Sequence, residues 1–165
     1  MPVPPSAACF PLQVRFGDLD AYGHVNNATY FSYFEEARVR LHNLPADAAD
    51  PAGPVIRDVQ GPGKFTLVAG QEIEYRAPLS LRPEPVSVNI WVTHVGGSSF
   101  RTGYVLAEPD DSATYAVGSA TMVLVERASG RPVQLPEAYR AALLRFAGPD
   151  VPFRRPVPAQ DRQEA

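Results

Sequence analysis

The chain reads as an α+β domain: one long helix packed on an antiparallel sheet of about five strands, with a short helix near the C-terminal end. Three observations predict this. The 18 prolines leave 12–44, 86–108 and 110–131 clear of a residue that breaks helices and central strands. Apolar residues recur at helical spacing inside the first of these gaps. In the later segments they alternate with polar residues or run continuously, as strands require.

Residues 1–11 hold four prolines and read as a flexible N-terminal tail. Leu12 to Phe16 alternates and is expected to be the first strand, leading into the turn-rich Gly17 to Gly23. From Asn27 the period becomes helical. Ala28, Phe31, Phe34, Ala37, Arg38 and Leu41 share a face with Tyr30 alongside, Glu36 and Arg40 form an i,i+4 pair, Asn26 or Asn27 can cap the start and Pro45 limits the end. A loop rich in Pro, Ala and Gly follows to Gly63. In Phe65 to Ala77, strict alternation puts Phe65, Leu67, Ala69, Ile73 and Tyr75 on one face. Val86 to Val95 and Phe100 to Ala107 form a hairpin through Gly96 to Ser99, and Tyr115 to Val125, apolar on both faces, is expected inside the sheet. Pro136 starts a short helix over Glu137 to Phe146. The expected organisation is a domain over 12–148, with 149–165 as a flexible C-terminal tail.

Composition narrows the function. With 45% hydrophobic residues, 165 residues suffice for one core. Lys and Arg number 15 against 18 Asp and Glu, a net charge of -3, so nothing drives binding to nucleic acid. Cys9 has no disulfide partner within the chain, no secretory signal is visible, and no apolar run approaches the roughly 20 residues of a membrane helix. A cytoplasmic protein with no membrane association is expected.

Most catalytic designs lack their residues. Gly61-Pro-Gly-Lys64 is not a phosphate loop, because the first required glycine falls at Asp58 and Phe65 replaces Ser or Thr. His24, His42 and His94 are too scattered to form a metal site, and no cofactor is expected. No Gly-x-Ser-x-Gly elbow exists, and Cys9 has no histidine near it in sequence. The chemistry concentrates in Arg15 to Asn27, where two carboxylates, an imidazole and two amides precede a helix start. Unpaired N–H groups and the dipole at that end stabilise a carbonyl oxygen gaining negative charge. Asp20 beside it, in a site lined by Tyr30 and Phe31, would serve as base or nucleophile for acyl transfer. The same residues are also ordinary turn formers, and on that reading Asp20 closes a turn while His24 packs against the helix.

The run VRFGDLDAYGHVNNATYFSYFEEARVR, Val14 to Arg40, closely resembles the opening motif of the 4-hydroxybenzoyl-CoA thioesterase-like group of hotdog-fold acyl-CoA thioesterases. The likeness continues through Phe65 to Pro78, the Gly96 to Phe100 hairpin and SGRPVQLP at Ser129 to Pro136. The resemblance implies a hotdog fold, a long central helix wrapped by a curved antiparallel sheet. It also implies a homodimer or homotetramer with active sites between subunits, and hydrolysis of acyl-CoA to free acid and CoA. By position, Asp20 matches the catalytic carboxylate, Asn27 the backbone N–H that polarises the thioester carbonyl, and Ser98 and Ser99 the hairpin near the pantetheine and nucleotide end of CoA. Tyr30 is expected to line the acyl site. The His24-Val25-Asn26-Asn27 form is also similar to plant acyl-ACP thioesterases, which use a histidine four residues after the aspartate and an Asn two after it. Tyr22 occupies the latter position, so His24 is a catalytic candidate without its usual companion. Asp18 and Glu35 are expected to be structural. A non-catalytic acyl-CoA-binding hotdog module is the alternative, and a dehydratase-like hotdog enzyme a lesser one.

Overall fold

The computed structural model describes residues 3–154. It contains strands β1 (Ala8–Leu12), β2 (Lys64–Tyr75), β3 (Val86–Val95), β4 (Ser99–Ala107) and β5 (Thr114–Glu126), and helices α1 (Thr29–His42) and α2 (Glu137–Leu144). All strand pairs are antiparallel, in the order β1-β3-β4-β5-β2. The four later strands and both helices therefore fall where the proline-free gaps and periodicity place them, and β5 is interior.

The first strand is displaced from its expected position. It spans Ala8–Leu12, pairing Ala8 with Ile90 and Leu12 with Val86, so residues 8–11 belong to the sheet and not to a tail. Its order in the sheet explains why Pro11 is tolerated: an edge strand has one side on which no partner needs an N–H. Past it, Phe16–Asp18 make a single 3-10 turn, so the expected turn-rich stretch begins one residue early, at Phe16.

β2 breaks its own alternation. The register shifts between Val68 and Gly70, leaving Ala69 as an extra residue. A bulge of one residue swaps the faces beyond it. Thr66 and Val68 lie opposite the inward-facing Leu124 and Met122, and after the bulge Gln71, Ile73 and Tyr75 take that side. Phe65 and Leu67 consequently face outward, where Arg127 stacks on the Phe65 ring at 4.7 Å.

The long helix α1 lies on the inner face and buries Tyr30, Tyr33, Phe34, Ala37, Arg38 and Leu41. Its buried stripe is rotated slightly from the expected one, and Phe31 is only half-buried. The Phe34 ring stacks on Tyr104 at 4.6 Å and lies over Gly118 of β5, where a β-carbon would collide with it. Arg38 is buried but satisfied by Gln71 Oε1 at 3.1 Å and the Tyr104 hydroxyl at 3.3 Å. At the C-terminal end of α1, His42 Nδ1 donates to the Arg38 carbonyl at 2.8 Å. Its Nε2 must then accept from the Tyr139 hydroxyl of α2 at 2.7 Å.

The outer face carries a smaller cluster in which Trp91, Val105 and Val117 meet Val151 and Phe153. Residues 149–154, expected as tail, cross this face as a strap. Trp91 Nε1 donates to the Pro149 carbonyl at 2.7 Å, Arg76 Nη2 to that of Pro152 at 2.8 Å, and the Arg154 N–H to Glu74 Oε2 at 2.8 Å. The remainder of that expected tail, 155–165, lies outside the described residues. No helix among the described residues is long and apolar enough to cross a membrane.

Candidate active site

The loop between β1 and α1 is built around Asp18. Its side chain is only 4% exposed and accepts from the Arg15 N–H at 2.8 Å, Arg15 Nη2 at 2.9 Å and the Tyr33 hydroxyl at 2.7 Å. Its carbonyl accepts from the Asn26 N–H at 2.8 Å. Burial pushes the carboxyl up, but the bonds from Arg15 and Tyr33 outweigh it and hold it below the usual carboxylate range. Burial and the bond to Asp18 push the Tyr33 hydroxyl up. Asp18 thus ties both ends of the loop to the helix, the structural role its position suggests.

Asp20 begins a tight turn. Its N–H donates to the His24 carbonyl at 2.8 Å, its carbonyl accepts from Gly23 at 3.1 Å, and Gly23 supplies the positive φ of 78° that the turn requires. Side-chain Oδ1 accepts from the N–H groups of Tyr22 at 2.8 Å and His24 at 3.2 Å. Oδ2 has no hydrogen-bond partner among the described residues. The carboxylate is therefore oriented through one oxygen and available through the other. The turn-forming and catalytic readings of Asp20 do not compete: the turn aims the side chain.

Asn26 closes a turn just ahead of the helix, whose own cap position, Ala28, has no side-chain cap bond. Asn26 Oδ1 accepts from Ala28 and the Asn26 carbonyl from Thr29, both at 2.9 Å. The intervening Asn27 N–H has no acceptor among the described residues, while the Asn27 carbonyl accepts from the Tyr75 hydroxyl at 2.9 Å. Asp20, Asn27 and Tyr30 line one open cleft of about 420 Å³ with Val25, Tyr75, Arg76, Ala77 and Pro78. Burial pushes the Tyr30 hydroxyl up to about 12, so it remains a neutral donor. A larger hollow of about 540 Å³ lies on the opposite face of the sheet, between Arg101, Thr121, Glu72 and Phe153. It contains none of the loop residues.

Asp20, Asn27 and Tyr30 are thus brought together as the sequence suggests. The other expected residues are not at this cleft. His24 contributes backbone bonds to the turn, but its ring makes no hydrogen bond among the described residues and does not line the cleft. Ser98 and Ser99 sit at the β3–β4 hairpin. Ser99 pairs with Val123 and Tyr75 with Ala116, seven residues apart on β5 or about 23 Å. Phe31 does not line the cleft, and Glu35 is exposed without a hydrogen-bond partner among the described residues. Tyr75 is the residue that sequence reasoning missed. Its alternation marks a strand face, but only the sheet order carries the end of β2 to the start of α1.

Acid should destabilise this protein in two stages. Burial lowers the folded-state pKa of His42 below 6.5, so below that pH the unfolded chain takes up a proton that the folded one resists. Asp18 acts later: its depressed folded-state pKa gives stability that is complete above an unfolded value of about 3.9 and lost as pH falls through the folded value. Urea unfolding at stepped pH and fixed protein concentration should show stability falling from below pH 6.5 with a slope of at most about 1.4 kcal/mol per pH unit. His42→Gln should remove that first slope and keep the second.

The sequence and the fold both match known proteins. Residues 14–143 match the family model of the thioesterase-like superfamily. The protein is similar to the PA5185 protein of Pseudomonas aeruginosa, with 30% identity, a TM-score of 0.68, and 85% of this chain and 91% of that one covered. A thioesterase from Thermus thermophilus, solved with coenzyme A and zinc, is 30% identical with a TM-score of 0.65, covering 86% and 93%. The YsmA protein of Bacillus subtilis is 28% identical over 136 residues, 81% of this chain and 82% of YsmA. A helix on the inner face of a five-stranded antiparallel sheet is the hotdog arrangement, which the chain shares with the Thermus thermophilus thioesterase. With the match running from the Asp20 loop through α2, the chain belongs to the thioesterase-like superfamily.

Proposed function

We propose that the protein hydrolyses acyl-CoA thioesters to a free carboxylic acid and CoA. The observation that carries this reading is the pairing of an available Asp20 oxygen with the unpaired Asn27 N–H at one cleft. The Asn27 N–H donates to the thioester carbonyl oxygen as that oxygen gains negative charge, and Asp20 supplies the attack on the carbonyl carbon. As a nucleophile it forms an acyl-aspartyl anhydride and releases CoA thiolate, and water then hydrolyses the anhydride. As a general base it takes a proton from water, whose oxygen attacks the carbonyl carbon; the C–S bond then breaks and CoA leaves as the thiol, taking that proton. The coenzyme A bound to the Thermus thermophilus relative favours CoA as the carrier.

His24 acts through its backbone in this reading. Positioned acid–base groups contribute about 10²–10⁴-fold. His24→Ala should therefore keep turnover within about tenfold, well short of that range, and a larger loss in a folded variant would return the imidazole to the chemistry.

A homodimer completes the reading. β2 is an edge strand with Leu67 and Val68 exposed at 47% and 40%, an arrangement that invites pairing with a second copy. Antiparallel β2–β2 pairing across a two-fold would bring the partner's hairpin end toward the Asp20 cleft, and with it Ser98 and Ser99. Thiol release by the purified protein, across aromatic, short and long acyl-CoA substrates, tests the activity. Turnover on at least one substrate is expected. Binding without release on every one would make the protein an acyl-CoA-binding module.

A further inference from the structure

We infer that Tyr75 is a positioning residue that presets the Asn27 N–H, an assignment that rests on the thioesterase reading above. Around Asn27, two successive peptide units are held by different groups. In the unit joining Asn26 and Asn27, the carbonyl accepts from Thr29 at 2.9 Å, and the N–H is the one left open. In the next unit the N–H of Ala28 is held by Asn26 Oδ1 at 2.9 Å and the carbonyl of Asn27 by the Tyr75 hydroxyl at 2.9 Å. Every polar group of the two units is fixed except the one that would meet the substrate oxygen. A donor held in place before the reaction stabilises developing charge without reorganising, which is what makes such sites effective. Of the three holding groups, Tyr75 alone comes from outside the helix start.

Tyr75 is itself held firmly. Its ring packs edge-on against Tyr30 at 5.2 Å and 81°. The chain just past it is anchored by the N–H groups of Arg76 and Ala77, which donate to the Tyr115 carbonyl at 2.8 and 3.2 Å. On either side, Glu74 and Arg76 are tied to the strap at Arg154 and Pro152. The end of an edge strand, ordinarily free to fray, is secured on both sides of this one side chain. The Tyr75 hydroxyl, with an ordinary pKa of about 10, is protonated and a donor at neutral pH.

Tyr75→Phe removes the hydroxyl and keeps the ring against Tyr30, so the fold should hold. We expect kcat for a CoA thioester to fall about tenfold to hundredfold, less than the 10²–10³-fold for deleting an oxyanion donor outright. KM should change by less than about twofold, because the donor acts mainly in the transition state. The melting temperature should stay near that of the parent, and the Asn27 carbonyl carbon and Ala28 amide should shift in the NMR spectrum. A raised KM with unchanged kcat would make Tyr75 a substrate contact and overturn the assignment, as would unchanged kinetics. Asp20→Asn, assayed beside it, separates the two levels. Loss of turnover in Asp20→Asn with normal turnover in Tyr75→Phe overturns the Tyr75 role alone. Normal turnover in Asp20→Asn removes Asp20 from the chemistry and leaves the Tyr75 role to its own variant, whereas no turnover by the parent on any CoA thioester overturns the thioesterase reading and the positioning role with it.

Discussion

Asp20→Asn should lower turnover of a CoA thioester by about 10²–10⁴-fold, the range for losing a positioned acid–base group. The variant tests chemistry more than folding, because an asparagine oxygen can still accept from the Tyr22 and His24 N–H groups that close the turn. What it loses is the negative charge on the second oxygen, and with it the attack on a carbonyl carbon or the acceptance of a proton from water. KM should change little, since substrate is held by the cleft walls, which the substitution leaves in place. The check is steady-state thiol release at matched enzyme concentration, alongside circular dichroism to establish that the fold persists. Turnover within a fewfold of the parent would remove Asp20 from the chemistry.

The second large effect concerns the meeting of α1 and the sheet. Phe34→Ala should cost about 3–5 kcal/mol, since it empties a fully buried ring site and removes the stack on Tyr104. Gly118→Ala should cost about 1–3 kcal/mol, because the added methyl meets the Phe34 ring and lies 3.0 Å from the Glu72 carbonyl of β2. The two penalties should not add. With Phe34 already cut to Ala, the Gly118 methyl points into vacated space and its cost should shrink by at least half. Urea denaturation of the four-member cycle, at one protein concentration, measures this coupling. Strictly additive penalties would show that the ring does not rest on Gly118.

Much of this architecture could be read from the chain because its signals are local. Proline-free gaps mark β3, β4, β5 and α1, and the period change at Asn27 marks the start of α1 to within two residues. Asp20, Asn27 and Tyr30 were legible for the same reason: they lie within eleven residues, across one loop and one helical turn. Features decided by neighbours in space were not legible. Pro11 looks like a strand breaker until β1 is known to lie at an edge. Ala69 looks like one more alternating residue until β5 shows it to be a bulge, turning Phe65 and Leu67 outward and Ile73 inward. The strap at 149–154 reads as tail because its anchors, Trp91, Arg76 and Glu74, are distant in sequence. Tyr75 depends wholly on sheet order, which places the last residue of β2 against the first turn of α1. His24 is the reverse case: a reactive residue type at a suggestive spacing, whose ring the fold places outside the cleft.

The most direct measurement is a crystal structure of the Asp20→Asn protein bound to an uncleavable ketone analogue of an acyl-CoA. The ketone oxygen should lie about 2.7–3.1 Å from the Asn27 backbone nitrogen. The ketone carbon should lie about 3–3.5 Å from the side chain at position 20 where Asp20 is the nucleophile, or from a water held by that side chain where it is the general base. A ketone seated elsewhere, or one whose oxygen is held by other groups while the Asn27 N–H faces water, would contradict the account.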